Sequence, residues 1–184
     1  VNYAIYVVDY DIGPGLPIIG HSKIYFLDEK GNWHLTEFTG EFPDKSTAEV
    51  FLYSPEKSIN RLKNDISRIN DNLKPLHLNG TDFLLLQGNF TESLALAQYY
   101  YENQNYPGYS VFTNNCLHYI KNILDVADIK GAATQFYVNN DSNIIIPYMY
   151  FNGLKNAQKI DSTLSSVKDF IVDFVSDYGH INSN

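Results

Sequence analysis

Cys116 is the single cysteine among 184 residues, so the chain has no internal disulfide and no oxidised framework. Export is not thereby excluded, since a secreted protein needs no bridge. Positive charge is also scarce: 13 Lys and Arg stand against 21 Asp and Glu, a net charge of −8. No Lys/Arg cluster interleaved with aromatics occurs, so the footprint of phosphate binding is missing and no nucleic-acid partner is expected. The acidity is read as solubility. No stretch approaches the ~20 apolar residues of a membrane span, and "NIIIPYMYF" is short and contains Pro147. No transmembrane segment is expected. The opening "VNYAIYVVDYD" lacks a basic start and runs into acids, unlike a signal peptide. Beginning at Val1, the chain is expected to be a processed fragment or a domain cut from something longer. There is no H-x-x-x-H, C-x-x-C or carboxylate cluster, no phosphate or dinucleotide fingerprint and no G-x-S-x-G elbow. Neither a metal nor a cofactor is expected.

What is present argues for a folded chain: 44% hydrophobic and 15% aromatic residues. The length suits one domain with an appended helical tail. "YAIYVVDY" reads as a buried strand, and "DIGPGLPIIG" as a loop. "HSKIYFL", "DEKGN" and "WHLTEFTG" form a hairpin with Gly31 in its turn. Ile59, Leu62, Ile66 and Ile69 recur at helical spacing, with Ser54 or Ser58 as cap. One or two strands follow in "LHLNGTDFLLLQG", then a helix over "FTESLALAQYYYENQN" with Thr91 as cap. After a Pro107–Gly108 turn and a short extended "YSVF", a helix is expected from about Cys116 to Ala127. The tail reads as a polar loop, "YVNNDSN", an apolar patch and a final helix whose stripe is Leu164, Val167, Ile171, Phe174 and Tyr178. That stripe is expected to pack on the core, because the opposite face carries acids rather than Lys/Arg. The order of elements gives an α+β class, with a core over 1–130 and a C-terminal extension over 131–184 in one domain.

Chemistry centres on "NNCLHYIKNIL". If a helix begins at Cys116, Asn114 or Asn115 caps it, and the thiol sits where unpaired N–H groups converge and favour thiolate. A lone buried cysteine that only fills space is the competing reading. A thiolate nucleophile needs a partner base, and histidine suits neutral pH. His118 lies two residues on, about 200° around the helix, and cannot reach the sulfur. His77 sits between leucines in a strand and His180 lies in the tail. His21 and His34, both on the hairpin, are left, and spacing alone does not choose between them.

"GHSKIYF…GNWHL", followed about eighty residues later by "YSVFTNNCLHYIKNILDVADI", resembles the circularly permuted branch of the papain-like, NlpC-type thiol enzymes. Lecithin:retinol acyltransferase and many bacterial hydrolases and toxin domains belong to that branch. It places a histidine on an early strand and a later cysteine in an Asn-Cys-x-x-Phe/Tyr pattern, preceded by a Tyr-x-hydrophobic segment. Asn115, Cys116 and Tyr119 match it, with Tyr109 upstream. The resemblance implies a permuted papain-like fold, a small antiparallel sheet packed against helices with the cysteine at a helix N-terminus. It makes Cys116 the nucleophile and His21 the general base, with a polar group on the next strand orienting the imidazole. The acyltransferase relatives use a second histidine there, which points to His34. Register bears on this choice, since strand side chains alternate. With a five-residue turn Leu27 pairs with Trp33, and Glu37 shares the face of His21 while His34 points away. A four-residue turn or a bulge selects His34 instead. The oxyanion is expected on the Cys116 N–H beside the Asn114–Asn115 cap, with a second donor from the loop before His21.

The implied activity is a cysteine-dependent hydrolase or acyl transferase. Without an anchor or basic surface, an amide in peptide, peptidoglycan or a protein side chain is favoured over a phospholipid ester. A bacterial toxin or effector domain fits the family's habit, secreted or delivered into a target cell, with a cognate immunity or inhibitor protein as partner. A cytoplasmic enzyme and a non-catalytic binding module with a structural cysteine are the alternatives.

Overall fold

The strand "YAIYVVD" is apolar at nearly every position, the pattern of a strand covered on both faces. In the computed structural model, which describes residues 2–10, 20–40, 47–69, 80–140 and 143–164, it is an inner strand of the sheet. This strand, β1 (Tyr3–Asp9), pairs antiparallel with β2 (His21–Leu27) on one side and β5 (Thr81–Asn89) on the other. β3 (Trp33–Thr39), β4 (Glu49–Leu52) and β6 (Asp128–Ile129) complete a six-stranded sheet of order β4-β3-β2-β1-β5-β6, antiparallel throughout. Among the described residues five helices pack on it: α1 (Pro55–Ile66), α2 (Thr91–Asn103), α3 (Cys116–Asp125), α4 (Ala132–Asn140) and α5 (Pro147–Ile160). The architecture is the α+β one expected, a small antiparallel sheet packed against helices, with α3 opening at the cysteine.

Alternation along the strands sorts side chains into two cores. Ala4, Tyr6, Val8, Ile24, Phe26 and Phe38 join residues of α2 to α5. Ile5, Val7, Tyr25, Leu27, Trp33 and Leu35 instead join Leu62 of α1. The second face also buries charge: Lys23 Nζ lies 2.8 Å from Asp65 Oδ2, which also accepts from the Tyr25 hydroxyl at 2.6 Å. Arg68 closes this network with a two-pronged contact to Asp9 at 3.2 and 3.1 Å.

The hairpin turn decides the register that matters for the site. Asp28 accepts from the Lys30 and Asn32 N–H groups, and Gly31 takes a φ of 81° that favours glycine. Leu27 therefore pairs with Trp33 across a five-residue turn.

Ser54 caps α1, accepting from the Lys57 N–H, while Ser58 is buried and accepts from the Leu35 N–H, tying α1 to β3. Thr91 is not a cap: Phe90 holds that position, and Asn89 Oδ1 receives the Thr91 N–H. The tail departs from expectation. Most of "YVNNDSN" belongs to α4, and the apolar patch forms the start of α5, with Pro147 in its first turn. The reason is non-local. Asp161 supplies the α4 cap from 28 residues away, accepting from Ala133 N at 3.0 Å and Thr134 N at 2.7 Å. The expected final helix falls mostly on 165–184, outside the described residues; 162–164 are not helical. His77, His180 and the glycine-rich loop over 11–19 also lie outside them.

Candidate active site

Asn115 starts α3 in extended backbone, and its Oδ1 accepts from Leu117 N at 2.9 Å and His118 N at 3.2 Å. Its amide nitrogen donates to the Val111 and Ile145 carbonyls, so one side chain locks the helix start to two loops. Asn114 is not the cap. Its Oδ1 accepts from the Tyr106 hydroxyl, and its nitrogen donates to the Pro107 and Gly108 carbonyls, shaping the loop before the helix. The Asn115 side chain is thus engaged by protein groups on both atoms, which leaves the backbone as the source of any oxyanion donor at this helix start. His118 turns back on the helix, its Nδ1 accepting from Asn115 N at 3.1 Å.

Cys116 is 6% exposed. Its sulfur accepts from the backbone N–H of Ser22 at 3.5 Å, across 94 residues of sequence. Ser22 is itself held by the buried Tyr6 hydroxyl at 2.7 Å. α3 packs on β2 and β3, so its first turn meets the start of β2, where His21 stands.

His21 lies beside both remaining partners. Its Nε2 donates to Glu37 Oε2 at 3.0 Å, and the N–H of the next residue, Ser22, holds the Cys116 sulfur. Burial alone disfavours imidazolium, but the thiolate and the Glu37 carboxylate outweigh it and raise the His21 pKa to about 10. Burial likewise disfavours thiolate at Cys116, yet the His21 charge, its hydrogen bond and the Ser22 and Leu117 N–H groups lower the thiol pKa. Glu37, also opposed by burial, is drawn down to about 2 by His21, the Tyr53 hydroxyl and the Lys23 charge. The three shifts all run towards a thiolate–imidazolium pair backed by a carboxylate. Such an arrangement offers a nucleophile, a proton donor and a fixed imidazole orientation.

His34 does not join them. It faces the opposite side of β3, paired with Phe26 across the strands, and its Nε2 bonds Asp28 Oδ2 at 2.8 Å. Alternation puts His34 and Glu37 on opposite faces, and the five-residue turn gives Glu37 the face of His21. Two residues near the site had no sequence signal: Tyr53, whose hydroxyl donates to Glu37 Oε1 at 2.8 Å, and Arg61, 3.8 Å from the same oxygen. They reach Glu37 from beyond β4 and from α1, and neither local periodicity nor spacing encodes that approach.

Among the described residues no group of three His, Cys, Asp or Glu side chains could hold a metal. No helix among them is long and apolar enough to cross a membrane.

Among solved structures, the crystal structure of the type VI secretion system effector TseH is similar. It superposes with a TM-score of 0.56 over 84% of this chain and 88% of that one. The fold is shared; the sequence is 16% identical. No family model matches the chain, and no curated protein does.

Proposed function

We propose that the chain is a cysteine-dependent acyl-transfer enzyme that hydrolyses an amide bond. The observation that carries this reading is the convergence at the start of β2, where His21 Nε2 meets Glu37 at 3.0 Å and the adjacent Ser22 N–H holds the Cys116 sulfur at 3.5 Å. In the first half-reaction the Cys116 thiolate attacks the carbonyl carbon, an S–C bond forms and the carbonyl electrons move to oxygen. The Cys116 N–H is suited to that oxyanion, because the Asn115 cap engages Leu117 and His118 instead. His21 then protonates the leaving amine as the C–N bond breaks. In the second half-reaction, neutral His21 takes a proton from water, the hydroxyl attacks the thioester, and the thiolate departs. Glu37 keeps the ring oriented and stabilises its charged form.

The likeness to a structure named as a type VI secretion system effector supports a bacterial effector domain delivered into a target cell. An amide of peptide or peptidoglycan is the proposed substrate, and a cognate immunity protein the proposed partner. The low exposure of Cys116 favours a second reading, a binding module with a structural cysteine. One experiment separates them. Purified protein is incubated with peptidoglycan sacculi and with peptides, and newly released amines are quantified for wild type, Cys116→Ala and His21→Ala. Release that vanishes in both folded variants supports the enzyme. Full retention in either one sinks the assignment.

A further inference from the structure

We infer that Tyr53 is a positioning residue for the site, holding the Glu37 carboxylate in the rotation that presents Oε2 to His21, with Arg61 as its brace. The inference rests on the Cys116–His21–Glu37 reading above. A glutamate's terminal torsion is broad, so one hydrogen bond to an imidazole does not fix its plane. Here the second oxygen has its own donor, the Tyr53 hydroxyl at 2.8 Å, in a setting where the Glu37 side chain is 5% exposed. A bond to a buried carboxylate is among the stronger hydrogen bonds and is directional.

Tyr53 is well fixed. Its N–H donates to the Leu35 carbonyl and its own carbonyl accepts from the Ser58 hydroxyl, so it is pinned to β3 and α1 together. Its ring stacks on Phe51 at 5.8 Å, and the Arg61 guanidinium lies 5.3 Å from the ring centre. Arg61 also stands 3.8 Å from Glu37 Oε1. Tyr53 is neutral across the working range, since burial and the Glu37 charge raise its pKa, so it stays a donor. The groups acting on Glu37 are His21, Lys23 and Tyr25 of β2, Tyr53 after β4, Arg61 of α1 and Tyr119 of α3.

Tyr53→Phe removes only the hydroxyl and keeps the ring contacts. The readout is the rate of Cys116 alkylation by iodoacetamide across pH, which needs no knowledge of the substrate. His21 ring shifts followed by NMR titration serve as the spectroscopic signature. In wild type, alkylation is expected to be fast already at pH 6. In Tyr53→Phe it is expected to slow about tenfold at pH 6 and to match wild type at pH 10, with the His21 transition shifted to lower pH. Arg61→Gln is expected to slow it about threefold in the same direction, because its guanidinium is half-exposed. A purely structural role would alter the unfolding midpoint and leave both profiles in place. Superimposed profiles for Tyr53→Phe and a wild type of low thiol pKa overturn this role alone. A wild type that alkylates like an ordinary thiol overturns the thiolate–imidazolium pair and this role with it. Should Tyr53→Phe not reach the native fold, the Arg61→Gln profile decides: slowed at pH 6 supports the brace, unchanged overturns it.

Discussion

The hairpin carries two imidazole–carboxylate pairs, and they are nearly the same length. His21 meets Glu37 at 3.0 Å, and His34 meets Asp28 at 2.8 Å. Their surroundings differ. The first pair has side-chain exposures of 15% and 5%, the second 21% and 21%. Glu37 has second and third partners in Tyr53 and Arg61, whereas the other Asp28 oxygen is spent on the hairpin turn. Above all, a thiol sits next to the first pair, its sulfur held by the N–H of Ser22 beside His21. The contrast teaches that a short imidazole–carboxylate contact does not make a reactive site. Burial and a neighbouring thiol set the first pair apart, because each charge there depends on the next.

Substitutions can break this comparison. The largest effect is expected from Cys116→Ala, with amide hydrolysis falling to background. His21→Gln should lower it by about 10²–10⁴-fold, the usual range for a general acid–base group. Glu37→Gln is expected to follow at about 10²-fold, as it leaves a ring without its orienting charge. All three are read from amine release at fixed enzyme concentration, with circular dichroism to check folding.

Stability comes next. Lys23→Met removes one partner from a buried pair and should destabilise by about 3 kcal/mol, softened by the Arg68 and Tyr25 contacts that Asp65 keeps. Urea unfolding followed by the fluorescence of Trp33, the single tryptophan, measures it. The same assay tests pH. Glu37 has a folded pKa depressed to about 2, so its stabilisation is present above its ordinary value and is lost as pH falls from about 4.5 towards 2. His21 has the opposite sign: raised to about 10, its contribution is complete below its ordinary value and is lost as pH rises through the folded one. In Glu37→Gln the loss of stability on acidification should be shallower than in wild type; an identical slope would detach Glu37 from it. The smallest effect is expected at the other pair. His34→Gln should change iodoacetamide reactivity at pH 6 by less than about twofold and stability by less than about 0.5 kcal/mol. A tenfold loss of reactivity there would erase the distinction between the two pairs.

Much of the fold is legible where rules are local. The apolar run of β1, the hairpin with Gly31, the Ile59–Leu62–Ile66 spacing of α1 and the asparagine before Cys116 each announce their element. α4 and α5 are not legible in that way. α4 takes its cap from Asp161, and α5 begins inside an apolar patch with no side-chain cap at Ile146. A reading that seeks caps and stripes within a few residues misses both. At the site, the turn length and strand alternation place Glu37 rather than His34 on the face of His21, while the choice between Asn114 and Asn115 as cap has no local answer. Both are good cap residues, and the loop carbonyls they meet decide.

The sequence by itself determined where a helix would open on a cysteine and that Glu37 and His34 would lie on opposite faces of one strand. Those follow from backbone hydrogen-bonding needs and from the two-residue period of a strand. Only the tertiary structure decided that Cys116 meets the Ser22 N–H beside His21, and that Tyr53 and Arg61 close on Glu37. These contacts join residues 16 to 94 positions apart in sequence, and sheet order and helix packing, not local pattern, set such distances.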